Sequence, residues 1–465
     1  MVDRDVMRVS SALIVGALAV VFDTTIVGLA LNTLAADLHA PIATIQWVST
    51  GYLLALGVVI PVVAWAQARV GGKRLWLVAL TVFLIGSVLC SVAWNAPSLI
   101  AFRIVQGVGG GLMLPLLSTL VMQAARGRDL GRTMAVISLP AVLGPILGPV
   151  VGGVILHWLD WRWLFWVNVP FCVVGYVLAV RLLPADPPPT VRRLDVVGLA
   201  LAAPGTVGLL YGLSDVSRSG GFARADVLVP LVLGALLVGA FAWWATSRPG
   251  GLVEVRLLRH RPLASSSAML FLSGASLYGA MLLLPLYWQQ ARGESVLAAG
   301  LLLVPQGVGS LLSRPLAGIL MDALGARALV AAGFVVVGLA TVPFALAGPH
   351  TGYAWLLAAL LVRGFGLSVV TIPVMAVAFV GLEKAQVPHA SILTRMAQQV
   401  GGSFGTAVLA VILAGTHSFS RTFWWAVGFT AVAVVLSQLL PGRPPAAPAT
   451  PAPGPAPAPA VAVAG

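Results

Sequence analysis

Apolar runs of about 20 residues alternate along this chain with short loops that carry most of its charge. Six lie near 11–31, 47–67, 75–94, 98–122, 134–157 and 163–183. Eight more follow near 194–214, 226–246, 264–288, 297–320, 328–347, 353–378, 391–414 and 422–440. At roughly 1.5 Å rise per residue, a run of about 20 crosses the roughly 30 Å hydrocarbon layer of a bilayer. The pattern predicts 14 transmembrane helices and an all-α polytopic membrane protein. Pro140, Pro145 and Pro149 interrupt the fifth run, and Gly364 and Gly366 the twelfth. Such breaks are tolerated where neighbouring helices cover the freed backbone.

Composition agrees. Of 465 residues 59% are hydrophobic and 9% charged, with a mean hydropathy of +1.00; a soluble domain carries about 25% charged residues. The net charge of +13 would suggest nucleic acid in a soluble protein. Here the basic residues sort by loop: 18 fall on the N-terminal side of the alternation and five on the other. That asymmetry places both termini in the cytoplasm of a multi-pass protein of the cell membrane. Scattered over short loops, these residues form no nucleic-acid patch. Cys90 and Cys172 lie inside apolar runs and read as small core residues. The first run continues too far, and lacks the small-residue cleavage site, for a removable signal peptide.

The two halves of the chain repeat. AWAQARVGGKR (64–74) after the second run is echoed by GILMDALGAR (318–327) after the tenth. IVQGVGG (104–110) likewise has a counterpart in LVRGFGL (361–367). The expected units are a six-helix bundle at 1–183, a linker with two inserted helices at 184–262, a second six-helix bundle at 263–440, and a disordered Pro/Ala-rich tail at 441–465. Paired bundles around a central site are the architecture of an alternating-access transporter.

The most specific run is GPILGPVVGG in the fifth span. Gly144, Gly148 and Gly152 recur every four residues and leave one helical face bare, while Pro145 and Pro149 add local bends. Taken alone, it is equally a generic glycine-mediated helix crossing. With LIAFRIVQGVGGG (99–111), FDTTIVGLAL (22–31), WRWLFWVNVP (161–170) and LDVVGLAL (194–201), however, it resembles the 14-helix drug:proton antiporters of the major facilitator superfamily. The resemblance spans about residues 10–440. It implies the major facilitator fold and export of hydrophobic or amphipathic small molecules, such as drugs and antibiotics, against a proton gradient. It also implies a monomer in the bilayer that needs no cofactor. The turns holding Arg69, Gly71 and Lys73, and Asp322, Gly325 and Arg327, correspond to its inner gate. Two departures stand out: Ala68 replaces the usual acid of the first turn, and Gly28 and Asn32 replace the usual Asn and Pro of the helix-one motif.

Charges inside the spans are the remaining candidates. Asp23 is the one deep carboxylate, on a face shared with Gly16, Ala19 and Ala30. Arg103 is its natural partner and shares a face with Gln106, Gly107 and Gly110. The pair reads either as a permanent tie between helices one and four or as the proton-coupling site, the role the resemblance implies. Arg363, aligned with Gln106, either attracts an anionic substrate group or bonds backbone carbonyls. Gln106, Tyr287, Gln289, Arg363 and Gln399 are candidate cavity residues, Gln399 lying in a polar patch with Arg395 and Gln398. Tyr287 and Trp288 also suit an interfacial aromatic belt, as do Trp161, Trp163 and Trp166. A single deep acid disfavours a dedicated dication site. No nucleotide-binding loop, metal-ligand spacing or catalytic set is present. An enzyme is therefore not expected, nor is a metal. A dedicated exporter of one metabolite or lipid is the alternative, ahead of an intramembrane enzyme or a scaffold.

Overall fold

The computed structural model describes residues 4–125, 139–186, 194–219, 224–247, 251–348, 350–383 and 385–442, with Met134, Ile137 and Pro188. The tail beyond residue 442 and the loop around Arg126–Arg132 lie outside the described residues. All regular elements among the described residues are helical. In the first half these are α1 (Arg4–Ile26), α2 (Ile42–Val59, continuing to Val70), α3 (Gly72–Ser91), α4 (Ala96–Ala125), α5 (Leu139–Trp158) and α6 (Asn168–Leu182). Then come α7 (Val196–Ser219) and α8 (Ala225–Ser247). The second half holds α9 (Arg261–Leu286), α10 (Val304–Leu324), α11 (Ala326–Ala345), α12 (Tyr353–Ala378), α13 (Val387–Thr416) and α14 (Phe419–Leu436). Thirteen spans are long and apolar enough to cross a membrane. The remaining helix, α5, has 20 residues and no charged side chain.

Some boundaries differ from the hydropathy pattern. Helix α1 starts at Arg4 rather than near 11, because its first turns are polar helix projecting beyond the apolar run. Past Ile26 it tightens into a 3-10 turn at Val27–Ala30, where Gly28 stands, and resumes at Leu31–Asp37. Trp161 is not an interfacial anchor: it is 2% exposed and donates its indole N–H to Asp37 at 2.7 Å. Trp163 and Trp166 are exposed.

Packing repeats between the halves. Helix α1 lies against α4, α5 and α6, and α4 against α2 and α3; in the same way α9 lies against α12, α13 and α14, and α12 against α10 and α11. Glycines make these crossings close. A Cβ on Gly107 or Gly111 would press on the backbone of Tyr52 or Leu56 in α2, and one on Gly364 on the Gln306 carbonyl. Helix α7 packs on α8 and also touches α2 and α13, so it bridges the bundles. Helix α8 turns Leu228, Val229, Val232, Leu233 and Leu236 outward, as a lipid-facing helix does.

At the end carrying the termini the bundles share one core, in which Met122 and Ala125 cluster with Phe379, Val387 and Ala390. At the opposite end each bundle has its own core, around Phe165 in the first and Trp288 in the second. Contact there includes α5 against the short helix Val296–Leu302, with Gly153 facing Leu297.

The two short turns match in geometry. Gly71 has φ +95° and Gly325 φ +80°, a region that side chains rarely adopt. Lys73 donates to the Val180 and Leu183 carbonyls at 2.7 and 2.9 Å, capping the end of α6. Arg327 does the same at the far end of its own bundle, donating to the Leu440 carbonyl at 2.8 Å. Arg69 is exposed, and the side chain of Asp322 lies outside the described residues. The acid absent at Ala68 has a substitute from the linker: the Asp186 carboxylate accepts the Lys73 and Arg74 amide N–H groups at 2.7 and 3.0 Å. A carboxylate suits that place, because the first amides of a helix have no partners within it and carry its positive dipole end.

Candidate functional site

Asp23 lies near the end of α1, just before the backbone tightens, and is 0% exposed. A sealed carboxylate must be compensated, and two helices supply three donors. Arg103 of α4 donates through Nη1 to Oδ2 at 2.5 Å. Gln106, one turn along α4, and Asn168, the first residue of α6, both donate to Oδ1 at 3.0 Å. Arg103 also donates to Gln106 Oε1 at 2.8 Å and the Val48 carbonyl at 3.2 Å, and its guanidinium stacks 4.0 Å from the centre of the Tyr52 ring. Ser87 of α3 accepts from Gln106 and Asn168 and donates to the Phe165 carbonyl at 2.9 Å. Five helices of the first bundle thus converge on one ion pair. Asn168, Ser87 and Tyr52 are the members that sequence reasoning missed. Asn168 had a signal, since it stands inside the WRWLFWVNVP run.

The bare face of α5 lies directly on this part of α1. A Cβ on Gly144 would enter Val21, and one on Gly148 would enter Thr25, two residues before and after Asp23. Thr25 donates across the crossing to the Gly144 carbonyl at 3.3 Å. Gly152 is buried on the same face, and the side chains of Pro145 and Pro149 lie outside the described residues. The second bundle repeats the crossing: a Cβ on Gly401 or Gly405 of α13 would press on the Phe271 or Ala275 carbonyl of α9.

A cavity opens between the bundles beside these paired crossings. Val20, Val21, Thr24 and Thr25 of α1 line it, with Leu114, Leu117 and Ser118 of α4. The facing wall is Leu277, Tyr278 and Met281 of α9, Thr371, Ile372 and Met375 of α12, and Arg395, Gln398 and Gln399 of α13. Most of the side chains lining it are apolar, as in sites that take small lipophilic molecules. Gln399 is the candidate cavity residue found there. Gln106 belongs to the Asp23 network, and Tyr287 sits in a ring cluster with Trp288, Phe344, Phe419 and Phe423. Gln289 lies in the wide turn Tyr287–Ala291 beyond α9. Arg363 is 2% exposed and joins three helices, donating to Thr341 Oγ1 at 3.2 Å, Gln306 Oε1 at 2.8 Å and the Ser276 carbonyl at 3.2 Å. Among the described residues no carboxylate pairs with it.

Two glycine-crossed bundles around a cavity, with an ion pair sealed behind one wall, match a known family. The family model of the Major Facilitator Superfamily covers residues 13–406. The chain belongs to this superfamily. Among curated relatives, the "Multidrug resistance protein B homolog" of Mycobacterium tuberculosis (strain ATCC 25618 / H37Rv) is 35% identical over 425 residues, covering 90% of this chain and 78% of the relative. The "Lincomycin resistance protein LmrB" of Bacillus subtilis (strain 168) is 28% identical over 419 residues, covering 90% and 88%. Solved superfamily structures share the fold. The human organic anion transporter MFSD10 (TETRAN) superimposes with a TM-score of 0.67 at 17% identity, covering 94% of this chain and 100% of that one. The proton:xylose symporter XylE gives 0.66 at 14% identity, covering 95% and 97%. The major facilitator fold expected from the motifs is therefore the fold of this chain, with α7 and α8 added to two six-helix bundles.

Proposed function

We propose that this superfamily member exports hydrophobic or amphipathic small molecules across the cell membrane, taking up protons in exchange. The observation that carries the reading is the position of Asp23, sealed by Arg103, Gln106 and Asn168 while its neighbours Thr24 and Thr25 line the cavity between the bundles. A proton on Asp23 cancels one charge of the pair and frees Arg103, Gln106 and Asn168 to reorient. Because α1 and α5 meet at Gly144 and Gly148, any such change reaches the cavity wall through the crossing. Differential stability of two bundle arrangements with and without that proton is the thermodynamic requirement for coupling.

In this reading residues 1–183 and 263–440 rock as the two units, and a monomer is complete. Both termini lie in the cytoplasm, as the loop charges indicate. The gate turns act through Gly71 and Gly325, with Lys73 and Arg327 holding each turn to its own bundle during the motion. The curated relatives named for multidrug and lincomycin resistance support drugs as substrates. The test is efflux from a pump-deficient host across chemically varied compounds, with and without a protonophore. Export abolished by the protonophore and by Asp23→Asn is the expected result. Protonophore-insensitive export, or full uphill export by the variant, refutes proton coupling.

A further inference from the structure

The cavity wall formed by α13 carries a cation that the Asp23 network does not use. Arg395 lines the cavity, and among the described residues its one hydrogen bond is from Nη1 to Gln398 Oε1, at 3.0 Å on the next turn. Its Nε is buried without an acceptor. Among the described residues that line the cavity there is no carboxylate. Asp23, the deep acid of α1, is committed to Arg103, Gln106 and Asn168. The hydroxyls of Thr24, Ser118 and Thr371 spend their protons on carbonyls of their own helices, Val21, Leu114 and Leu367. The charged donor facing the space is therefore Arg395, flanked by the amides of Gln398 and Gln399.

We propose that this cavity recognises substrates bearing one anionic group, a carboxylate or sulfonate on an apolar body, with Arg395 as the recognition residue. A guanidinium held away from bulk water is stabilised by an anion that accepts from two of its N–H groups at once. Half-buried and with its Nε lacking an acceptor, Arg395 gains from a ligand that supplies the counter-charge. A cationic ligand would meet like charge at the same wall. Leu53, Leu56, Leu277, Met281 and Met375 supply the apolar surface for the rest of the molecule. The inference rests on the reading of this cavity as the substrate site, and it fixes the charge class that site favours.

The experiment is equilibrium binding to the purified full-length protein in detergent at pH 7.5, measured by titration calorimetry. Three probes of one shape are compared: 1-naphthylacetate, its neutral amide 1-naphthylacetamide, and (1-naphthylmethyl)trimethylammonium. The expected result is binding of the anion at least about 10-fold tighter than the amide or the cation. Arg395→Gln brings the affinity for the anion down to that for the amide, and measurable amide binding by the variant shows an intact cavity. Arg395→Lys keeps a several-fold preference. The proposal is overturned if the wild-type protein binds the anion no tighter than the amide, or if the preference survives in Arg395→Gln. No gradient is present, so these outcomes are independent of proton coupling. Asp23→Asn should keep the anion preference even where it abolishes uphill transport.

Discussion

Replacing Asp23 by Asn keeps the shape of the side chain and removes its charge. The wild-type carboxylate accepts three N–H bonds, from Arg103 at 2.5 Å and from Gln106 and Asn168 at 3.0 Å. An amide offers one oxygen to those three donors, and either orientation of its NH2 group faces one of them. Arg103 would then be a buried cation whose remaining support is Gln106, the Val48 carbonyl and the Tyr52 ring. Removing one partner of a buried ion pair costs about 3–5 kcal/mol, or roughly 150- to 4000-fold in the weight of the conformation that holds it. Thermal unfolding of wild type, Asp23→Asn, Arg103→Gln and the double variant closes a mutant cycle. The double variant should lose at least ~2 kcal/mol less than the sum of the singles. In proteoliposomes Asp23→Asn should exchange substrate downhill but not accumulate it against a pH gradient. Additivity within about 0.5 kcal/mol would show that the pair is not coupled and refute the reasoning.

Gly148→Leu places side-chain atoms where Thr25 stands and should cost about 1–3 kcal/mol and most of the efflux, with Gly148→Ala milder; a fully active Gly148→Leu would show that the α1–α5 crossing is not tight. Asp186→Ala removes the cap on α3, so thermal unfolding should report a loss of about 0.5–2 kcal/mol while substrate preference in efflux assays stays unchanged. Arg363→Lys cannot fork to Thr341, Gln306 and the Ser276 carbonyl together, so melting should fall while Arg363→Met, which leaves no buried cation, falls less. Wild-type melting of Arg363→Lys would show that the three-way bridge does not hold α9, α10 and α11 together.

Architecture was legible because a bilayer restricts spanning segments to apolar helices and sorts basic loops to one side. The helix count, the internal repeat and the bare face of α5 all stand in the linear pattern. So does the isolation of Asp23, since one carboxylate in so much apolar sequence is conspicuous wherever the helices go. Partner choice is different, because it depends on where helices far apart in sequence cross. Arg103 could be guessed as a deep charge of opposite sign, but Asn168 and Ser87 meet Asp23 only because α6 and α3 pack at that depth. The same holds for the turn lacking an acid at Ala68: a carboxylate more than a hundred residues later, Asp186, caps the helix there. Arg363 and Arg395 show the division most plainly. In sequence they are two similar cations within second-half spans. Packing decides that one is spent on neighbouring helices, while the other faces the cavity with an N–H group unused. Sequence determined which residues are costly to bury, because that follows from side-chain chemistry and span alone. Tertiary structure decided which of those costs are already compensated, because that depends on which helices touch.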